Sequence, residues 1–256
     1  MRLGIISALA EEQEGLIQAL KGASTRSHGM RDYTAGTLWG IDAVCVLSRI
    51  GKVAAAMTAT ILVEKFGVTH IVFTGVAGSG DENVRVGDIV VADSLVQHDM
   101  DASPLFPRFE VPLTGLSHFS SSLDLSDQVA AAATELLAAD MATIVGIDAV
   151  AEFGLNTATL HRGLIGSGDQ FIHQRSRVAA LKDALPPLLA LEMEGAAVAQ
   201  VCFELGVPFA VVRTISDNAN EDAAVDFLRF VKTVASQYAF VLVRNLCALL
   251  QAKKNP

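Results

Sequence analysis

Short apolar runs recur along the chain at intervals filled by helical patterns, and this alternation limits the fold more than any other feature. The runs over 3–7, 31–35, 41–47, 70–73, 87–92, 142–150, 188–191 and 209–215 read as strands, and 162–172 reads as a strand opening into a loop. Helical spacing covers 11–20, 53–65, 123–138, 175–181 and 194–205. A last helix carries Phe227, Val231, Val234, Tyr238 and Val241 on one stripe, which is the pattern of a core-facing helix. Strands alternating with helices predict an α/β fold, a three-layer α/β/α sandwich with a mixed central sheet. The chain has 256 residues and is 51% hydrophobic, enough for one large core, so residues 1–256 are read as one domain.

Ligands of open α/β sheets bind beyond strand ends, so the segments that follow the strands carry the functional reading. Most informative is Ala190-Leu191-Glu192-Met193-Glu194-Gly195-Ala196-Ala197, where an apolar run gives way to small residues. In a continuous strand Glu192 and Glu194 share a face, and a bend there separates them. The bland reading of Glu194 is an acid favoured by a helix dipole, and Glu12 has the same rival explanation. Other such segments are residues 8–12, the glycine-rich turn over 75–80, residues 167–172 and Ser216-Asp217. Gly75, Gly78 and Gly80 lack the spacing of a dinucleotide fingerprint or a P-loop, but a turn of this kind admits close approach by a ligand.

Composition excludes several classes. Lys and Arg number 19 against 28 Asp and Glu, a net charge of −9 without a basic cluster, which argues against nucleic acid or a membrane surface as partner. No apolar run approaches the roughly 18 residues of a membrane span. Cys45, Cys202 and Cys247 are isolated, which indicates neither disulfides nor zinc and points to a reducing, cytoplasmic setting. Residues 98–118 form a long irregular loop. His98, Asp99 and Asp101 sit too close together to be read as a metal site and are taken as solvated polarity.

The ordered motifs Ile5–Glu12, Gly51–Ala56, Val86–Val90, Ser167–Ile172, Glu192–Ala197 and Val212–Asp217 together resemble the 5′-methylthioadenosine/S-adenosylhomocysteine nucleosidases of the nucleoside phosphorylase family. The resemblance covers most of the chain apart from residues 98–161. It implies hydrolysis of the N-glycosidic bond of a 5′-substituted adenosine, with no cofactor or metal and a small-molecule nucleoside as partner. By resemblance Asp217 donates a proton to the purine, Glu12 activates water, and Glu194 grips the ribose hydroxyls. Arg213 orients these acids. Phe171 and Phe227 flank the base, the Ile172 main chain reads its edge, and Met193 and Glu192 lie by the ribose. The matching segments add Ala8, Val76, Ala77, Gly78 and Ser216 to the substrate wall. The resemblance also implies a homodimer in which Leu9, Ile50, Phe106, Phe109 and Pro112 approach the partner's cleft.

Two positions depart from the family pattern. Val76 stands where Ser is common, and Arg49 stands where Gly is usual. An Arg near a cleft suits phosphate, which raises phosphorolysis as the alternative reaction. Against it, a carboxylate at position 12 would repel a phosphate dianion by roughly 4 kcal/mol per unit-charge pair at about 4 Å and an effective dielectric near 20. A non-catalytic adenosine-binding protein on the same fold is the third reading.

Overall fold

The structure is a computed structural model that describes residues 1–218 and 223–254. In chain order its elements are β1 (Leu3–Ser7), α1 (Glu14–Ala19), β2 (Lys21–His28), β3 (Arg31–Leu38), β4 (Ile41–Leu47), α2 (Lys52–Phe66), β5 (His70–Ser79), β6 (Ile89–Gln97) and β7 (His118–Ser120). There follow α3 (Leu123–Leu137), α4 (Met141–Val145), α5 (Ile147–Phe153), β8 (Leu160–Ser167), α6 (Arg175–Ala184), β9 (Leu188–Glu192), α7 (Gly195–Leu205), β10 (Phe209–Asp217), α8 (Ala223–Phe230) and α9 (Ser236–Lys254). A π-helical turn, Val231–Ala235, joins the last two helices.

The strands form one mixed ten-stranded sheet. β1 runs parallel to β4 and β5, β5 runs parallel to β10, and β9 is antiparallel to β5. Because β10 also pairs with β6, β6 with β8 and β8 with β9, half of the sheet closes on itself. One apolar cluster fills the face covered by α1, α3 and α9, and another fills the face covered by α2 and α7. This is the layered arrangement that the alternating pattern predicts, with the added closure.

Two local expectations are corrected, and one strand has no counterpart in the sequence pattern. The glycine-rich segment after Phe73 is the second half of β5, paired with β10 through Gly75, Val76, Ala77 and Gly78. Glycines inside a strand mark places where other groups come close. Residues 142–150 form helices rather than a strand: the Asp140 carboxylate caps the first by accepting from Ala142 N, and Gly146 at φ 89° separates it from the second. The edge strand β2 is exposed at every position and carries no apolar alternation to betray it.

Elsewhere the helix spacing holds. α2 ends at Gly67 in the left-handed conformation, φ 64°, as a C-cap requires. The stretch Phe227–Lys253, despite the absence of an obvious apolar run, is long and apolar enough to cross a membrane by length and composition. Over half of it is buried, with Val234, Tyr238, Leu242 and Leu246 inside the first cluster, so it packs as a core helix.

Candidate active site

After β1 the backbone turns through residues 8–13 before α1 begins at Glu14. Glu12 therefore precedes the helix instead of opening it, and its carboxylate folds back onto the turn. Ala8 N and Leu9 N both donate to Oε2 at 3.0 Å, and Val76 N donates to Oε1 at 3.1 Å. The side chain is only 2% exposed. Burial pushes its pKa up to about 7, against the pull of Arg213 and of the backbone N–H groups. A carboxyl group poised near neutrality can exchange a proton at physiological pH.

A Cβ at Gly75 would lie in contact, 3.4 Å from both Arg213 Nη1 and Glu12 Oε1, so these two side chains meet the strand at this position. Arg213 is buried within β10. It reaches Glu192 through Nε and Nη2, donates through Nη1 to the carbonyls of Phe73 and Val212, and lies over the Phe73 ring. Glu192 also accepts from Glu194 N, Gly195 N and the Ser167 hydroxyl. Its hydrogen bonds are thus spent on Arg213 of β10, the end of β8 and the start of α7.

The chain bends between Glu192 and Glu194 and separates their roles. Glu194 is buried and accepts from Gly51 N at 2.8 Å. Burial raises its pKa first and the neighbouring Glu192 second. At the end of β10 Asp217 is 1% exposed and accepts from the Ser216 hydroxyl at 2.8 Å.

Glu12, Glu194 and Asp217 all face one cavity of about 250 Å³ at the strand ends. Its apolar wall includes Met193, Phe171 and Phe227, the two rings meeting edge to face at 6.1 Å. Ala8, Val76, Ala77, Gly78, Glu192, Arg213 and Ser216 line it too. Ile172 does not; it is half-buried against the small cluster around Val96 and Leu188.

The residues proposed to reach a partner divide. Leu9 and Ile50 line the cavity of their own chain, because the N–H of Leu9 is tied to Glu12 and that of Gly51, just after Ile50, to Glu194. Phe109 is buried in its own chain's core and has no surface to offer, whereas Phe106 and Pro112 stay half-buried. The exposed apolar residues of that loop are Leu105 and Leu113, at 84% and 91%, which the sequence reading missed.

A polar clamp that sequence reasoning did not find ties the start of α2 to the end of β6 and to the segment after β8. Lys52 Nζ lies 2.6 Å from Asp99 Oδ1 and 3.0 Å from Gln97 Oε1, while Lys52 N donates to Asp169 and Asp169 N to Asp99. Burial would raise the Asp99 pKa, but Lys52 and the Asp169 N–H outweigh it and hold the group below its usual value. Asp99 is therefore a paired acid and not solvated polarity. His98 is buried as a ring packed on Gly168, and Asp101 is exposed. The one signal available was the motif position of Lys52 beside Gly51. Among the described residues no group of His, Cys, Asp and Glu could hold a metal ion.

Arg49 is exposed and its Nη2 donates to the Met30 carbonyl at 2.6 Å. It does not line the cavity. Val76 offers Glu12 its backbone N–H, so the missing serine hydroxyl leaves that carboxylate still bound.

Residues 2–248 match the model of the phosphorylase superfamily. A 5′-methylthioadenosine/S-adenosylhomocysteine nucleosidase of Shewanella frigidimarina is 35% identical over 98% of this chain and 99% of its own length. Among solved structures, the Neisseria meningitidis nucleosidase of the same name, in complex with methylthio-immucillin-A, superposes with a TM-score of 0.84 at 30% identity, covering 96% of this chain and 97% of the other. The futalosine hydrolase of Helicobacter pylori gives 0.81 at 31% identity, with 96% and 97% covered.

Proposed function

The chain belongs to the phosphorylase superfamily and, within it, to the 5′-methylthioadenosine/S-adenosylhomocysteine nucleosidase family, and from that premise we propose that it hydrolyses the N-glycosidic bond of a 5′-thio-substituted adenosine to adenine and the free thio-ribose. The observation that carries this reading is the convergence of Glu12, Glu194 and Asp217 on one nucleoside-sized cavity with an aromatic wall.

Adenine leaves poorly as an anion, so a proton must reach N7 as the C1′–N9 bond breaks. Asp217 supplies it from a protonated carboxyl group and is left ionised. The ribose develops oxocarbenium character, as in glycoside hydrolysis generally. Glu194 accepts hydrogen bonds from the ribose hydroxyls, and these strengthen as positive charge grows on the ring. Water then forms its bond to C1′ and gives a proton to Glu12. Exchange with solvent after product release returns Asp217 and Glu12 to their starting states.

The cavity wall argues for water over phosphate. Its one cationic side chain among the described residues, Arg213, is engaged by Glu192, and Arg49 lies outside it. A phosphate dianion would face Glu12 with no free cation to offset the repulsion.

A second copy of this chain is proposed to cover the exposed apolar residues Ile50, Val53 and Met57 around α2, together with Leu105 and Leu113. The three free, buried cysteines suit a reducing cytoplasm. The test is incubation with methylthioadenosine, adenosylhomocysteine and futalosine in phosphate-free buffer. Rapid adenine release from the first two supports the proposal. Release only when phosphate is added assigns phosphorolysis, and binding without turnover assigns a non-catalytic role.

A further inference from the structure

Glu12 has a second cavity behind it. This one is about 10 Å³ and is lined by Glu12, Thr74, Thr214, Ala235, Tyr238 and Ala239, among others. Glu12, Gly75 and Val76 line both cavities, so the carboxylate stands between the substrate cleft and this smaller hollow. A volume of this size matches one water molecule, which needs two to four polar partners to be held.

Those partners are present. Tyr238 is 1% exposed, and its hydroxyl has no hydrogen-bond partner among the described residues. Its ring is fixed edge to face against Phe230 at 6.4 Å. Thr74 and Thr214 bring further polar atoms to the same wall. Glu12 Oε2 already accepts from Ala8 N and Leu9 N, whereas Oε1 accepts only from Val76 N and keeps a lone pair. The π-helical turn Val231–Ala235 comes just before Tyr238 and contributes Ala235 to the hollow. Such turns recur at functional sites.

We propose that Tyr238 is a positioning residue for Glu12, acting through one water molecule held in the small cavity. The water accepts the Tyr238 O–H and donates to Glu12 Oε1. That bond fixes the carboxylate from behind and favours its ionised form, the form that takes a proton from the attacking water. The charged groups bearing on Glu12 are Arg213 from β10 and Glu194 from the start of α7, with Asp217 lining the same cleft. Asp88 bears on Tyr238 and is itself paired with His161 at 2.9 Å.

The inference rests on Glu12 as the base, and pH profiles of kcat/KM for methylthioadenosine test it. Tyr238→Phe keeps the ring and removes only the hydroxyl. The acidic limb is expected to move up by about half to one pH unit, a deficit of about three- to tenfold at pH 6 that narrows as the pH rises. Ala239→Val keeps the hydroxyl but fills the hollow, and it is expected to move the limb in the same direction. A purely structural tyrosine predicts an unmoved limb. An unmoved limb in either variant, or a deficit equal at every pH, overturns the proposal. Carbon-13 NMR titration of the Glu12 carboxyl, assigned with Glu12→Gln, reads the same shift without turnover. If the unsubstituted protein releases no adenine, the hydrolase reading fails and this titration still decides the role of Tyr238.

Discussion

Arg213 Nη2 lies 2.6 Å from Glu192 Oε2, where the two side chains are 1% and 3% exposed. A pair this deep contributes modestly as a pair, but breaking it strands a charge. Arg213→Met leaves Glu192 with no buried cation and is expected to lower unfolding stability by about 3–5 kcal/mol in urea titrations. Adding Glu192→Gln to that variant is expected to recover part of the loss, because the uncompensated charge is gone. A single variant as stable as the parent would show that the pair does not hold the site together.

Glu12 makes stability depend on pH in a defined direction. Its folded pKa of about 7 stands above the ordinary 4.5, so its contribution is fully present below about pH 4.5 and is lost as the pH rises through about 7. The span corresponds to about 3 kcal/mol. Glu12→Gln has no such dependence, so its stability relative to the parent is expected to improve between pH 5 and pH 8 (~1.4 kcal/mol per pH unit at most). Denaturant midpoints measured across that range check the sign, and a gap between the two proteins that does not vary with pH contradicts the burial argument.

Asp217→Asn preserves shape and the bond from Ser216 but removes the transferable proton. kcat is expected to fall about 10²–10⁴-fold while KM changes little. Steady-state kinetics that show near-parental kcat would remove Asp217 from the mechanism.

Arg49→Ala tests the alternative nucleophile. Its guanidinium is exposed on the Met30 carbonyl, so phosphate-free cleavage is expected to stay within about twofold of the parent. A collapse of turnover, measured as adenine release, would place Arg49 in the cleft.

The sequence made the layers legible because strands and helices announce themselves by period, and the acids stood out because each falls just past a strand. Misreadings have physical sources. The segment 142–150 has strand-like composition, and only the Asp140 cap and the bend at Gly146 turn it into helices. The 75–80 stretch looks like a turn because glycines usually break strands, yet most of it continues β5 in register with β10, with Arg213 and Glu12 beside Gly75 and the β9 backbone beside Gly80. The Lys52–Asp99–Asp169 clamp joins residues far apart in the chain, and single-chain spacing carries no trace of such contacts. Leu9 and Ile50, which the resemblance places near a partner's cleft, also line the cavity of their own chain, and Ile50 keeps 60% of its surface exposed.

The most direct measurement is turnover of methylthioadenosine in H₂¹⁸O with inorganic phosphate present, followed by mass spectrometry of the sugar. Water activated by Glu12 predicts one ¹⁸O at C1 of free methylthioribose and no sugar phosphate. A ribose 1-phosphate product, or methylthioribose without label, would contradict it.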